Sequence, residues 1–349
     1  MLYLKHIPLL LIALLLLFGF IRTIGRIYNH RVPRDGIQES MYIDVNGTKQ
    51  WLQIYGKDRN NPVLLYLHGG PGEATSHYDF AFTRKWADVY TVVTWDQRNC
   101  GKSYDPKQNS TPLTRQLLMQ DGKTVTEFVL QHLSKDRITV LGHSWGSVYG
   151  ANLVLAYPQY YDCFIGTGQL VDAAENEMAF LEAARQWAED DPEGMALVAQ
   201  LTPETLTAQH LSARNALMHR YGYHMMSGGQ DYSMSSAMLF NPYYSLRDWL
   251  RLGKINAGIY LDFVCSEEFR GFSLLGRTEY PVAYYNINGD RDYQTNYQLA
   301  QAYFNQINAP HKQLYLMQNM THGLLESDSE GFSQILHQIA AAEAVRRQA

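Results

Sequence analysis

At 349 residues the chain exceeds one average domain, yet a single large α/β domain carrying an insertion accounts for it. A hydrophobic share of 46% against 18% charged describes a globular protein with a substantial core, and a net charge of -5 gives no basic footprint for nucleic acid. Three cysteines, Cys100, Cys163 and Cys265, are odd in number and widely spaced, so they suggest neither a disulfide framework nor a zinc site.

The N-terminus differs in kind from the rest. Ile7 to Ile21 is an apolar run between Lys5 and Arg22, and residues 2–24 make about 23 positions, roughly 34 Å as a helix. That length spans a bilayer if the flanking cations snorkel. A cleaved signal peptide is the competing reading, but no small-x-small site follows the run, so an uncleaved single-pass anchor is expected. Arg22, Arg26, Arg31 and Arg34 outnumber the cations ahead of the run, which leans the C-terminal bulk to the cytoplasmic side.

After a polar linker to about Glu39, Met41 to Val45 and Gln50 to Tyr55 alternate around Asn46-Gly47 and predict an antiparallel hairpin. Val63 to Leu67 is a continuous apolar run, as in a central strand covered on both faces. It ends in His68-Gly69-Gly70-Pro71-Gly72, a loop shaped for close backbone approach. Tyr90 to Thr94 predicts the next buried strand, running into Asp96-Gln97-Arg98, whose charges are expected to brace neighbouring loops. Helical character returns from Val125 to Leu133.

Gly142-His143-Ser144-Trp145-Gly146 then follows the β-branched run Arg137 to Leu141 and precedes a helical stretch, Ser147 to Tyr157. A G-x-S-x-G between strand and helix is the nucleophile elbow of an α/β-hydrolase, with Ser144 exposed where backbone N–H groups can meet an oxyanion. In that fold the loop after the third strand supplies a second donor. A further strand is expected near Asp162 to Ile165. From about Gly168 to Thr278 no convincing strand appears, and Glu175 to Ala199 and Leu206 to Arg220 have helical spacing, which predicts a helical cap. Its Met225, Met226, Met234 and Met238 read as core packing or pocket lining.

Val282 to Ile287 resumes the strands, followed by Asn288-Gly289-Asp290-Arg291-Asp292, a helix over Tyr297 to Ile307, a last strand over Gln313 to Met317, then His322, and a closing helix over Gly331 to Val345. Acyl transfer by a serine needs a base in reach and a carboxylate that orients it. Chain order nucleophile, acid, histidine selects Ser144, Asp292 and His322, with Asp290 as rival acid and His311 and His337 as rival bases. The expected organisation is an anchor and linker (1–38), a mostly parallel doubly wound core (39–167 and 279–349) and the inserted cap (168–278).

The motifs His68 to Gly72, Asp96-Gln97-Arg98 with Gly101 and Ser103, and Gly142 to Ser147 together resemble the proline iminopeptidase family of α/β-hydrolases. The resemblance covers nearly everything from residue 41 onward and implies Ser144 as nucleophile with Asp292 and His322 as partners. It further implies the Gly70 and Trp145 amides as the oxyanion hole, a cis Gly70-Pro71 peptide, and no metal or organic cofactor. Asn99 stands where the family has glycine, and asparagine tolerates the positive φ the loop needs. The family's cap run Glu-x-His-Tyr-Phe, which holds the substrate's free amine, is absent, leaving Glu175, Glu177, Glu267 and Glu268 as candidates by composition. The implied activity is an aminopeptidase; an esterase or amidase shares fold and triad, and a non-catalytic binding protein is the alternative of another class.

Overall fold

A computed structural model describes residues 7–108, 110–252 and 258–348. The chain opens with helix α1 (Ile7–Asn29), then the hairpin β1 (Ile37–Val45) and β2 (Thr48–Gly56), paired antiparallel. Asn46 and Gly47 turn it with φ of 42° and 82°, the two positive values that match the twist of the strands they join. β3 (Val63–Leu67), α2 (Phe80–Trp86), β4 (Thr91–Asp96), α3 (Arg115–His132), β5 (Ile138–His143), α4 (Trp145–Ala156) and β6 (Tyr161–Thr167) follow.

The strands form one sheet in the order β1-β2-β4-β3-β5-β6-β7-β8, antiparallel at β1, β2 and β4 and parallel from β4 onward. β3 shows why its apolar run is unbroken. Val63, Leu65 and Leu67 enter the core facing α3 and α4, while Leu64 and Tyr66 enter the opposite core, built by α2 and the C-terminal helix. Both faces are covered, so neither alternate set is polar.

Between β6 and β7 (Ala283–Gly289) the named elements are all helices: α5 (Ala173–Trp187), α6 (Pro192–Val198), α7 (Ala208–Arg220), α8 (Met234–Leu239), α9 (Leu246–Leu252), α10 (Gly258–Val264) and α11 (Glu267–Arg270). The single helical window expected over Glu175 to Ala199 is two helices. Asp191 caps the second by accepting from the Glu193 N–H at 3.2 Å, with Pro192 at its first position, where the missing N–H costs nothing. α5 to α7 close their own small core on Phe180, Ala184, Ala213 and Leu217.

α12 (Tyr297–Gln306), β8 (Lys312–Met317), α13 (Leu324–Ser327) and α14 (Ser329–Gln348) complete the chain. β3, β5, β7 and β8 run parallel, so their C-terminal ends deliver the Gly70 loop, Ser144, Asp292 and His322 to one edge of the sheet. Of the expected anchor, residues 2–6 lie outside the described residues; from Leu10 to Asn29 the helix is long and apolar enough to cross a membrane. Its large side chains stand in the open, Leu15 at 69% and Leu16 at 70% exposure.

Candidate active site

The elbow owes its shape to its two glycines. A Cβ on Gly142 would stand 2.0 Å from the Gly146 carbonyl oxygen, and one on Gly146 would stand 2.1 Å from that of Leu67. Strand and helix can pass only because neither side chain exists. Between them Ser144 takes φ 57° and ψ -122°, a backbone that a serine adopts only under constraint from its surroundings. Trp145 begins α4, where the first N–H groups have no intrahelical acceptor.

The loop after β3 runs against the elbow: the position of a Gly69 Cβ lies 3.1 Å from the Ser144 Cβ. Gly70 has φ 109° and is joined to Pro71 by a cis peptide. Gln97 ties this loop to the elbow. Its backbone N–H donates to His68 Nε2 at 3.2 Å and its amide to the His68 carbonyl at 3.2 Å, while its Oε1 accepts from the Trp145 indole at 2.9 Å. His68 is pushed down to about 4 by burial, partly offset by its bond to the Gly69 carbonyl, so it holds the loop as a neutral ring. The flanking charges brace as expected. Asp96 accepts from Ser76 and the Lys102 N–H, and Arg98 grips Asp121 through two nitrogens at 2.6 and 2.8 Å. Asn99 takes φ 57°.

On the other side His322 donates from Nδ1 to Asp292 Oδ2 at 2.8 Å. Asp292 is fully buried, and its remaining capacity is taken by the Gln294 and Thr295 N–H groups at 2.9 and 3.0 Å and the Thr295 hydroxyl at 3.1 Å. That set fixes the carboxylate and leaves the lone pair of His322 on Nε2. His143 pins the backbone of His322 by donating from Nε2 to its carbonyl at 3.0 Å, with the two rings 4.7 Å apart. Burial, then the neighbouring His322, push His143 down to about 3, so it stays neutral beside the base. Of the rivals, His337 reaches the Lys85 carbonyl, His311 lies on Tyr285, and it is Asp292 rather than Asp290 that His322 meets.

Ser144, His322, Gly70 and Trp145 line one cavity of about 550 Å³. Leu170, Leu206, Leu211, Leu261, Val264 and Phe269 make its apolar wall, and Glu73, Glu177, Arg214 and Glu326 its charged part. Met225 lines it too, while Met226 packs at Gly323.

The four cap glutamates separate here. Glu177 reaches the cavity, but Arg214 Nε holds it at 2.9 Å and His210 Nε2 at 2.8 Å. Burial raises its carboxyl and those two partners outweigh the effect, leaving it below the ordinary range. Glu175 is exposed in the first turn of α5, Glu267 pairs with Arg270 on the surface, and Glu268 accepts from the Arg115 N–H at 2.7 Å. Composition alone carries no direction, so it could not separate these four. Glu326, four residues after His322 in the short helix α13, was not among the sequence candidates, because four residues carry no periodic signal.

The family described as alpha/beta hydrolase fold matches residues 62–223. A probable aminopeptidase, YbaC, of Bacillus subtilis (strain 168) is 27% identical over 300 residues, 80% of this chain and 89% of that protein. A proline iminopeptidase of Heyndrickxia coagulans is 31% identical over 119 residues, 34% of this chain, and the match spans 38% of that relative's length. The crystal structure of a proline iminopeptidase from Mycobacterium smegmatis is alike in fold, with a TM-score of 0.61 at 19% identity, over 88% of this chain and 100% of its own.

Proposed function

From the α/β-hydrolase fold of this chain and its similarity to proteins named aminopeptidase and proline iminopeptidase, we propose a membrane-anchored serine aminopeptidase releasing amino-terminal residues such as proline. His322 Nε2 takes the proton of the Ser144 hydroxyl as Ser144 Oγ bonds to the substrate carbonyl carbon. The oxyanion formed is met by the Gly70 and Trp145 N–H groups. The imidazolium, stabilised by Asp292, then gives its proton to the departing amine, and the carbon–nitrogen bond breaks. Water, deprotonated by His322, releases the acid and restores the serine.

The observation that carries this reading is the 2.8 Å bond from His322 Nδ1 to a fully buried Asp292, on a ring that shares a cavity with Ser144. Ser144→Ala is expected to lower kcat on an N-terminal proline arylamide by about 10⁴ to 10⁶. A variant keeping more than a tenth of the activity rules the mechanism out.

Acidic side chains in the cavity favour a substrate with a free amine. A second reading, an esterase or amidase on small acyl substrates, draws on the apolar wall from Leu170 to Phe269, which suits an acyl chain. Cleavage of short esters without dependence on a free amine selects that reading.

The anchor belongs to the same proposal. Exposed leucines along α1 are costly in water and neutral in hydrocarbon. Below them Arg22 donates to the Tyr244 carbonyl and Arg26 to those of Asn241 and Pro242, so the helix leaves the membrane already fastened to the body. Arg31 and Arg34 lie beyond, consistent with a cytoplasmic catalytic domain.

A further inference from the structure

Glu326 lies in α13, four residues after His322, and is 2% exposed. Its main chain is held at both ends, the N–H donating to the Gly323 carbonyl at 3.2 Å and the carbonyl accepting from the Asp231 N–H at 3.1 Å. Its side chain is not. Oε1 accepts from the Tyr78 hydroxyl at a long 3.4 Å, and Oε2, buried, has no partner, although the residue lines the cavity that holds Ser144 and His322. A carboxylate buried with half its capacity unused is expensive, and a fold keeps one where something arrives to satisfy it.

Chemistry narrows what arrives. An open carboxylate oxygen takes a donor, and a cationic donor best, because charge on both partners roughly doubles the strength of the bond. Glu177 is already engaged, its Oε2 by Arg214 and His210 and its Oε1 by the Asn176 amide at 3.2 Å, and Glu73 is exposed at the rim. Position narrows it further. In a peptide the α-amino nitrogen lies two bonds from the carbonyl carbon, about 2.5 Å away, so whatever holds it must border the reacting centre. Glu326 lines the cavity of Ser144 and His322, four residues beyond His322 and in contact with Tyr78, which lines it too.

We propose that Glu326 Oε2 binds the protonated α-amino group of the substrate, which makes the chain a hydrolase of free amino termini one residue deep. The inference rests on the aminopeptidase reading and assigns its amine subsite to the core, beside the base, rather than to the cap. Burial pushes the Glu326 carboxyl up to about 7, while its own backbone N–H, His322 and the Tyr78 hydroxyl oppose the rise. Tyr66, Tyr78, Asp79 and Tyr232 are the other titratable groups of this neighbourhood: Tyr66 is fully buried, and Asp79 is pushed up to about 8 by burial next to Asp96. An approaching ammonium favours the ionised carboxylate, so amine recognition strengthens as pH rises through about 7.

The experiment compares kcat/KM on a proline or alanine arylamide with its N-acetylated counterpart and with a short acyl ester, in the full-length wild type and in Glu326→Gln. A wild-type preference for the free amine that falls about 10- to 100-fold in the variant is the expected result, with fluorophosphonate labelling of Ser144 reporting that the variant is folded. A preference that survives in Glu326→Gln overturns the assignment while leaving the aminopeptidase reading intact. A wild type without any preference sinks that reading and the assignment with it. Should the variant fail to label, the wild-type pH profile decides. The ratio of free-amine to ester kcat/KM must fall as pH drops below about 7, because the catalytic groups are common to both substrates and cancel in the ratio, and a flat ratio overturns the proposal.

Discussion

The residue that sets the geometry is the one with no side chain. A methyl group on Gly146 would meet the Leu67 carbonyl oxygen at 2.1 Å, and that oxygen belongs to a central strand paired on both sides. Nothing there is a flexible side-chain tip that can turn away. Gly146→Ala is therefore expected to cost about 3 kcal/mol of stability and to displace Ser144, which chemical denaturation with a serine-directed label measures together. A variant as stable and as readily labelled as the parent contradicts the packing described. The residues around the elbow differ in how far the sequence exposes them. Ser144, Asp292 and His322 could be read from a local motif and from chain order along the strands. Gln97 could be seen as part of a motif, but its double grip on the Gly70 loop and on Trp145 exists only after β3, β4 and β5 lie side by side.

Among the elements, strands buried on both faces were legible, and helix starts only in part: α12 begins at Tyr297 as expected, α3 does not begin where expected. β3 was expected over Val63 to Leu67 and is found there, because burial on both faces leaves an unmistakable apolar run. α3 was expected from Val125 and begins at Arg115, capped by Thr114 accepting from the Leu117 N–H. Asp121 and Gly122 look like helix breakers in the sequence, yet each is there for a tertiary reason. A Gly122 Cβ would collide with Leu153 and Tyr149 of α4. Asp121, fully buried, accepts from Asn46, Gln50 and two nitrogens of Arg98 at 2.6 to 3.0 Å. This carboxylate joins the hairpin, the Asp96-Gln97-Arg98 loop and α3. Asp121→Ala would strand the buried Arg98 guanidinium, and a loss of about 3 to 5 kcal/mol is expected in urea unfolding. A loss under 1 kcal/mol would show that the pair is dispensable. α2, missed altogether, has seven residues, too few for a periodic signal. α13 has four, so Glu326 escaped for the same reason.

At the scale of the molecule, the N-terminal helix and the cavity are joined by a short chain of contacts. Arg22 and Arg26 hold the carbonyls of Asn241, Pro242 and Tyr244. Asn241 donates to the Ser76 carbonyl, and the Tyr244 hydroxyl meets Ser76 Oγ at 2.7 Å, which in turn donates to Asp96. Ser76 lies four residues beyond Gly72, so the exit of α1 is fastened to the loop that borders the cavity. A Gly25 side chain would run into the Phe240 ring, so the helix also packs here without a gap. The full-length chain is accordingly expected to stay with membranes through alkaline carbonate extraction, and its appearance in the supernatant contradicts a spanning α1.

The proposed acyl-enzyme offers the most direct measurement. Full-length protein mixed with an activated acyl ester, acid-quenched within its first turnovers and mapped by mass spectrometry should carry the acyl group on the peptide containing Ser144. The label should vanish in Ser144→Ala and form far more slowly in His322→Ala. Turnover of the ester with no acyl group on Ser144, or equal labelling in the absence of the imidazole, would contradict the mechanism at its root.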